Sequence, residues 1–228
     1  MKISSLIAAT LIVGLTAFVP VAHSANLVVD GDFTDPAFSG TFQTFNAGAT
    51  MGAWTVTSGS VNVSGGSVDQ IGTYWVPPTV GGRSVDLDGA SPGGISQVIN
   101  LNPGQYLLTF SLSGNPDAGS SPNKLVQTSI VGGLGSPVIN SFSYDTSIKG
   151  NTSSNMKYDQ ESVLFSISGI GPTTLSFLSL DAANSAWGAV IGNVAINAVP
   201  LPPAVLLFIS GLTVLVGFGA YKKSREQI

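Results

Sequence analysis

The chain has 228 residues, a formal net charge of −4, no cysteine and one histidine. Without cysteine there are neither disulfides nor thiolate metal sites, and because the histidine is His23, in a leader segment, the body offers no imidazole for Ser-His-Asp or Cys-His catalysis or for a histidine-ligated zinc. Residues 26–197 set four cations (Arg83, Lys124, Lys149 and Lys157) against ten Asp and one Glu, a net −7; such an acidic surface argues against nucleic acid and anionic lipid, and suits divalent cations and neutral glycans.

Residues 1–24 combine Lys2, an apolar stretch over 6–19, a breaking Pro20 and the small residues of Ala22-His23-Ser24. This is the layout of a secretory signal peptide, with cleavage expected after Ser24 or Ala25. The body, residues 25–197, is long enough for one domain that buries near 70% of its extended-chain surface. It reads as short period-two runs separated by Gly, Pro, Asn, Asp and Ser clusters. Strands are expected over 26–30, 53–56, 61–63, 67–76 (a pair or a bent strand), 84–87, 95–101, 105–113, 125–131, 138–144, 162–168, 173–180 and 189–196. The clearest alternation is in 105–113. There Tyr106, Leu108, Phe110 and Leu112 point one way, and Leu107, Thr109, Ser111 and Ser113 the other. No stretch of the body sustains a 3.6-residue apolar period. Many short strands without helices predict an all-β fold, an antiparallel β-sandwich of jelly-roll type, although spacing alone fits an immunoglobulin-like sandwich equally.

Several residue groups could carry chemistry. Asp30, Asp32 and Asp35 fall within six residues of a glycine-containing loop. Closely spaced carboxylates with loop carbonyls supply the oxygens calcium needs, but Asp also caps turns through its own backbone. Asp86 and Asp88 alternate with Val85 and Leu87, so both emerge on one strand face. They suit a solvated strand end, contact with a glycan or cation, or a glycosidase pair about 6–7 Å apart. Trp54, Tyr74, Trp75 and Trp187 are aromatics able to stack on sugar rings. Core packing fits Trp54 best, and the Tyr74-Trp75 pair, just before Pro77-Pro78, is expected to be exposed. Arg83, as a scarce cation, is expected to pair with an acid or donate to a ligand hydroxyl, and Asn115 and Asn184 are polar loop groups. The glycan-binding candidates are therefore Tyr74, Trp75, Arg83, Asp86, Asp88, Asn115 and Trp187, and no catalytic residue is assigned.

Residues 198–228 end the chain. Val199-Pro200-Leu201-Pro202 precedes an uncharged run over 204–221, followed by Lys222, Lys223 and Arg225. As a helix the run would span about 27 Å, enough to cross a bilayer core, and the basic end would face the cytoplasm. The three parts resemble the PEP-CTERM sorting signal of Gram-negative bacteria, with Leu201 where that signal usually has Glu. The resemblance implies passage through the inner membrane, recognition and cleavage by an exosortase, and release to the cell surface or extracellular matrix in bacteria that make exopolysaccharide. A permanent membrane anchor facing the periplasm is the alternative.

The body has landmarks of its own. In order these are Asn26-Leu-Val-Val-Asp-Gly-Asp-Phe33, Trp54-Thr-Val-Thr-Ser-Gly-Ser-Val61, Ser84-Val-Asp-Leu-Asp-Gly89, Gly94-Ile-Ser-Gln97, the strand ending Leu-Ser-Gly-Asn115, and Thr174-Leu-Ser-Phe177. Their succession resembles the choice-of-anchor C family of exported bacterial proteins, itself similar to a plant cell-wall domain with a galactose-binding-like fold. The resemblance implies a jelly-roll sandwich and contact with polysaccharide. Such families usually close on a strand carrying Asp-Asn-Val, whereas this chain has Gly192-Asn193-Val194. A structural calcium would therefore need other oxygens.

Overall fold

The protein is described here by a computed structural model covering residues 25–59, 65–117, 121–133, 136–183 and 185–200. The leader expected over 1–24, the strand expected over 61–63, Asn184, and the tail from Leu201 and Pro202 through the 204–221 run lie outside the described residues. Among the described residues no helix is long and apolar enough to cross a membrane.

Among the described residues, twelve strands form two six-stranded antiparallel sheets. The first sheet holds β1 (Phe42–Asn46), β4 (Ser67–Ile71), β5 (Ser84–Asp86), β12 (Ala189–Ala198), β7 (Gly104–Gly114) and β10 (Asp159–Ile167), in that spatial order. The second holds β2 (Thr50–Met51), β3 (Trp54–Ser58), β6 (Gly93–Leu101), β11 (Gly171–Ser179), β8 (Asn123–Val131) and β9 (Val138–Asp145). The strand order decides what spacing left open. The last strand, β12, lies between β5 and β7, and β11 lies between β6 and β8, so late strands nest between early ones in both sheets. Eight strands nested in this way are a jelly roll, with β1 and β4 extending one sheet and β2 and β3 the other.

The alternation read in residues 105–113 is realised in β7. Tyr106, Leu108, Phe110 and Leu112 point into the sandwich beside Val85, Ile191, Ile196, Val163 and Phe165 of neighbouring strands. From the second sheet Trp54, Val56, Ile95, Val126, Ile130, Leu175 and Phe177 close the core. The ring of Phe177 meets those of Phe110 and Trp54 edge-on, with centroids 5.1 and 6.2 Å apart.

Residues 26–30 do not form the expected strand. They run as a turn-rich segment tied to β12 by the Leu27 N–H to Ile196 O bond and by Asn26, which bridges Val194 O and the Ile196 N–H. The periodicity also missed β1, where Phe42 and Phe45 sit on opposite faces of an exposed edge strand. One helical turn, α1 (Thr146–Lys149), interrupts the all-β body; the Asp145 carboxylate caps it and Gly150 ends it in the left-handed region.

The outer face of the first sheet is not left to solvent. Ser111 and Ser113, on the polar side of β7, are both buried. The loop after α1 crosses them, held by the Ser113 hydroxyl donating to Met156 O at 2.6 Å. Ile71, Trp75, Met156, Val190 and Tyr158 form a second, smaller apolar cluster on this face. This corrects the expectation of an exposed Trp75. Only 4% of it is accessible, and its indole N–H donates to Ser84 Oγ at 2.8 Å. Tyr74 takes the exposed position of the pair.

A carboxylate- and aromatic-lined cleft

Beside that small cluster the outer face opens into a cleft of about 190 Å³. Its base comes from adjacent strands. Register places Asp69 of β4 opposite Asp86 of β5, and Phe42 of β1 opposite Ile71. Three loops build the walls. The β4–β5 loop brings Tyr74 and Trp75, the β7–β8 loop Asn115 and Asp117, and the β11–β12 loop Ala186 and Trp187. Tyr74 and Trp187 are 41% and 42% exposed, enough for a ligand to reach their ring faces. Of the seven candidate glycan-binding residues, Tyr74, Trp75, Asp86, Asn115 and Trp187 converge here, from positions spread over more than a hundred residues of chain.

Hydrogen bonds fix these walls before any ligand arrives. Tyr74 Oη donates to Asp117 Oδ2 at 2.6 Å, and the Asp117 N–H donates to Asn115 Oδ1 at 3.0 Å. Asn115 Nδ2 donates in turn to Asp86 Oδ2 at 2.7 Å. Asp86 Oδ1 accepts from the N–H groups of Asp88 and Gly188. One chain of bonds thus runs from the exposed tyrosine to the buried strand and ties all three loops together. Burial pushes the Asp86 carboxyl well above its ordinary range and the neighbouring Asp88 carboxylate pushes the same way; the Asp88 N–H and Asn115 partly offset them. Gly188 is required by close approach. A Cβ there would fall 2.6 Å from Asp88 Cγ and 2.7 Å from Asp86 Oδ1. Asp69 Oδ1 accepts from Thr44 Oγ1 at 2.6 Å; burial raises its pKa and the Thr44 bond opposes the rise.

Asp86 and Asp88 do not share one solvated face. The first is 1% accessible under the cleft, and the second, fully inaccessible, lies beyond the end of β5 at the bridge to Pro92. Neither Asp88 oxygen has a hydrogen-bond partner among the described residues. Burial raises its pKa to about 7. The hydroxyls of Ser179 and Ser185 lie close enough to oppose this without reaching hydrogen-bond geometry, Asp181 adds to the rise, and the Lys124 ammonium offsets it.

Arg83 also stands apart from the cleft. Its guanidinium donates to the carbonyls of Pro36 and Phe38 and lies 4.2 Å from the Phe38 ring centroid, so it pins the loop over residues 31–40. In that loop Asp30 behaves as a turn residue. Its Oδ1 accepts from the N–H groups of Thr34 and Asp35, and its carbonyl accepts from the Trp54 indole. Burial raises the Asp30 pKa, and the two backbone donors lower it. Asp30 Oδ2 has no hydrogen-bond partner among the described residues. It shares with Asp35 O the space that a side chain at Gly52 would fill. The Asp32 carboxylate meets the Thr34 hydroxyl at 3.5 Å, and among the described residues no three carboxylates form a group able to share one ion. Trp54 is wholly in the core, as expected.

Sequence reasoning missed Asp69, Asp117 and Phe42. No local pattern marks them, because strand register and loop proximity bring them in; the Tyr74–Asp117 bond joins residues 43 apart.

No family model matches the chain. Halomucin of Haloquadratum walsbyi is 40% identical over 96 residues, which is 41% of this chain and 1% of halomucin. Among solved structures, a family 61 carbohydrate-binding module in complex with β-1,4-galactotriose superposes with a TM-score of 0.43 at 11% identity, over 77% of this chain and all of that one. The CBM22-1 xylan-binding domain of Paenibacillus barcinonensis Xyn10C gives 0.43 at 12%, over 70% of this chain and 95% of its own. A family 35 carbohydrate-binding module of Clostridium thermocellum gives 0.40 at 12%, over 70% and 100%. The strand order, rather than these distant likenesses, assigns the jelly roll.

Proposed function

We propose that this is an exported, non-catalytic protein of the cell envelope or exopolysaccharide matrix whose sandwich binds glycan in the cleft on the first sheet. One observation carries the reading: the exposed Trp187 and Tyr74 stand at a cleft that also presents the polar side chains of Asp69, Asn115 and Asp117. Aromatic faces suit the C–H faces of pyranoses, and fixed acceptors suit their hydroxyls. Asp86 supports a binding role over hydrolysis, since its oxygens are taken by three donors and it is only 1% accessible at the base of the cleft. Asp88 does not line the cleft at all. A glycan array probed with the purified chain, including the host's own exopolysaccharide, tests this. The expected result is binding that Trp187→Ala weakens at least tenfold while Tm stays unchanged. Binding to no glycan would leave a purely structural surface protein. Release of reducing ends that disappears in Asp86→Asn would instead favour a glycoside hydrolase or lyase.

Delivery rests on the two ends of the chain, the leader over 1–24 and the Val199-Pro200-Leu201-Pro202 tail. Mass spectrometry of the cell-surface form tests exosortase sorting. Loss of residues beyond the Pro-rich motif is the expected result, and an intact Arg225 would refute cleavage.

A further inference from the structure

The charge of the cleft narrows its ligand. Asp69, Asp86 and Asp117 line it, and no Lys or Arg does. The cation nearest in sequence, Arg83, is committed to the Pro36 and Phe38 carbonyls. The body around it is itself acidic, with four cations against eleven carboxylates. At 190 Å³ the cleft is smaller than the roughly 300–1,000 Å³ of pockets for drug-sized ligands, so it takes one sugar ring rather than a chain segment.

A neutral ring can donate its hydroxyls to Asp69 and Asp117, but it leaves their partly desolvated charge without a counter-charge. A uronate adds a like charge to a cleft that already focuses negative potential. A protonated amine on the ring removes both penalties. It gives Asp69 and Asp117 a donor of opposite charge, and Tyr74 and Trp187 offer π faces to the same cation.

Resting on the glycan reading above, we infer that the cleft binds a terminal amino sugar, recognising the free ammonium through Asp69 and Asp117 with the ring against Trp187 and Tyr74.

Titration calorimetry of the full chain with a glucosamine trimer and with the N-acetylglucosamine trimer tests this, because acetylation removes the charge and keeps the ring. The glucosamine trimer should bind at least tenfold more tightly. The double variant Asp69→Asn/Asp117→Asn should erase the difference, and Asp117→Asn alone should reduce it. Asp117 is exposed, so that variant still decides the question if the double variant does not fold. Equal binding of the two trimers overturns the inference, and so does a preference that survives in Asp117→Asn and in the folded double variant. Displacement by lysine amide as effective as by glucosamine also overturns it, since the ring would then not be read. If neither trimer binds, the amino-sugar inference falls while other hits on the array keep the glycan reading standing; a blank array removes both.

Discussion

Asp88→Asn should make the protein more stable at neutral pH. The native carboxyl titrates at about 7 against an ordinary 3.8, with burial the main cause. A native pKa above the unfolded one means that the folded state holds its proton more tightly. Its contribution is fully present below about pH 4 and is lost as pH rises through 7. The difference in pKa corresponds to roughly 4 kcal/mol between those limits. For a chain of this length that is about 8–16 °C in Tm. Asparagine has nearly the same shape, carries no charge to desolvate and leaves Asp181 as the counter-charge to Lys124. Urea unfolding at pH 4.5, 6 and 7.5 reads the effect. Wild type should gain stability on acidification. Asp88→Asn should be the more stable protein at pH 7.5 and show a much smaller slope, the remainder coming from Asp86 and Asp181, whose pKa values burial also raises. Steady loss of wild-type stability from pH 7.5 to 5, or an Asp88→Asn variant weaker than wild type at pH 7.5, would refute the reasoning.

Other outcomes follow from the same contacts. Trp75→Ala should cost about 3–5 kcal/mol in denaturant unfolding, because it empties the small cluster on the outer face and leaves Ser84 Oγ without its donor. Gly188→Ala should destabilise by about 1–3 kcal/mol and weaken glycan binding together, since its Cβ would clash with Asp88 and displace the Asp86 carboxylate that accepts from the Gly188 N–H and anchors the Trp187 loop; Ala186→Gly in the same loop should leave Tm nearly unchanged. Asn115→Ala should cost about 1–3 kcal/mol by stranding the buried Asp86 Oδ2, measured by the same unfolding curves. If Asp30, Asp32 and Asp35 serve turn geometry alone, Tm is the same in EDTA and in millimolar calcium; a calcium-dependent rise of several degrees would assign the loop to the cation.

Alternation in residues 105–113 was enough to specify β7, because a strand with one face toward the sandwich core must put its apolar residues on that face. Composition alone removed histidine and cysteine chemistry from the body, and many short period-two runs between turn residues, with no sustained helical period, were enough for an all-β sandwich. The two ends of the chain are legible only as sequence. Residues 26–30 looked like a strand because apolar runs resemble one another locally; their backbone bonds to β12, far away in the chain, place them as a tied segment instead. Trp75 and Tyr74 are indistinguishable by local pattern, and only the loop crossing the outer face buries one and exposes the other. Which aromatics and carboxylates meet in a cleft was decided by register and by three loops reaching one place. Asp69 reaches Asp86 through strand pairing and Asp117 reaches Tyr74 across 43 residues, long-range pairings that no local window contains. The jelly-roll nesting of β11 and β12 is likewise tertiary, because sequence orders the strands in time and only packing orders them in space.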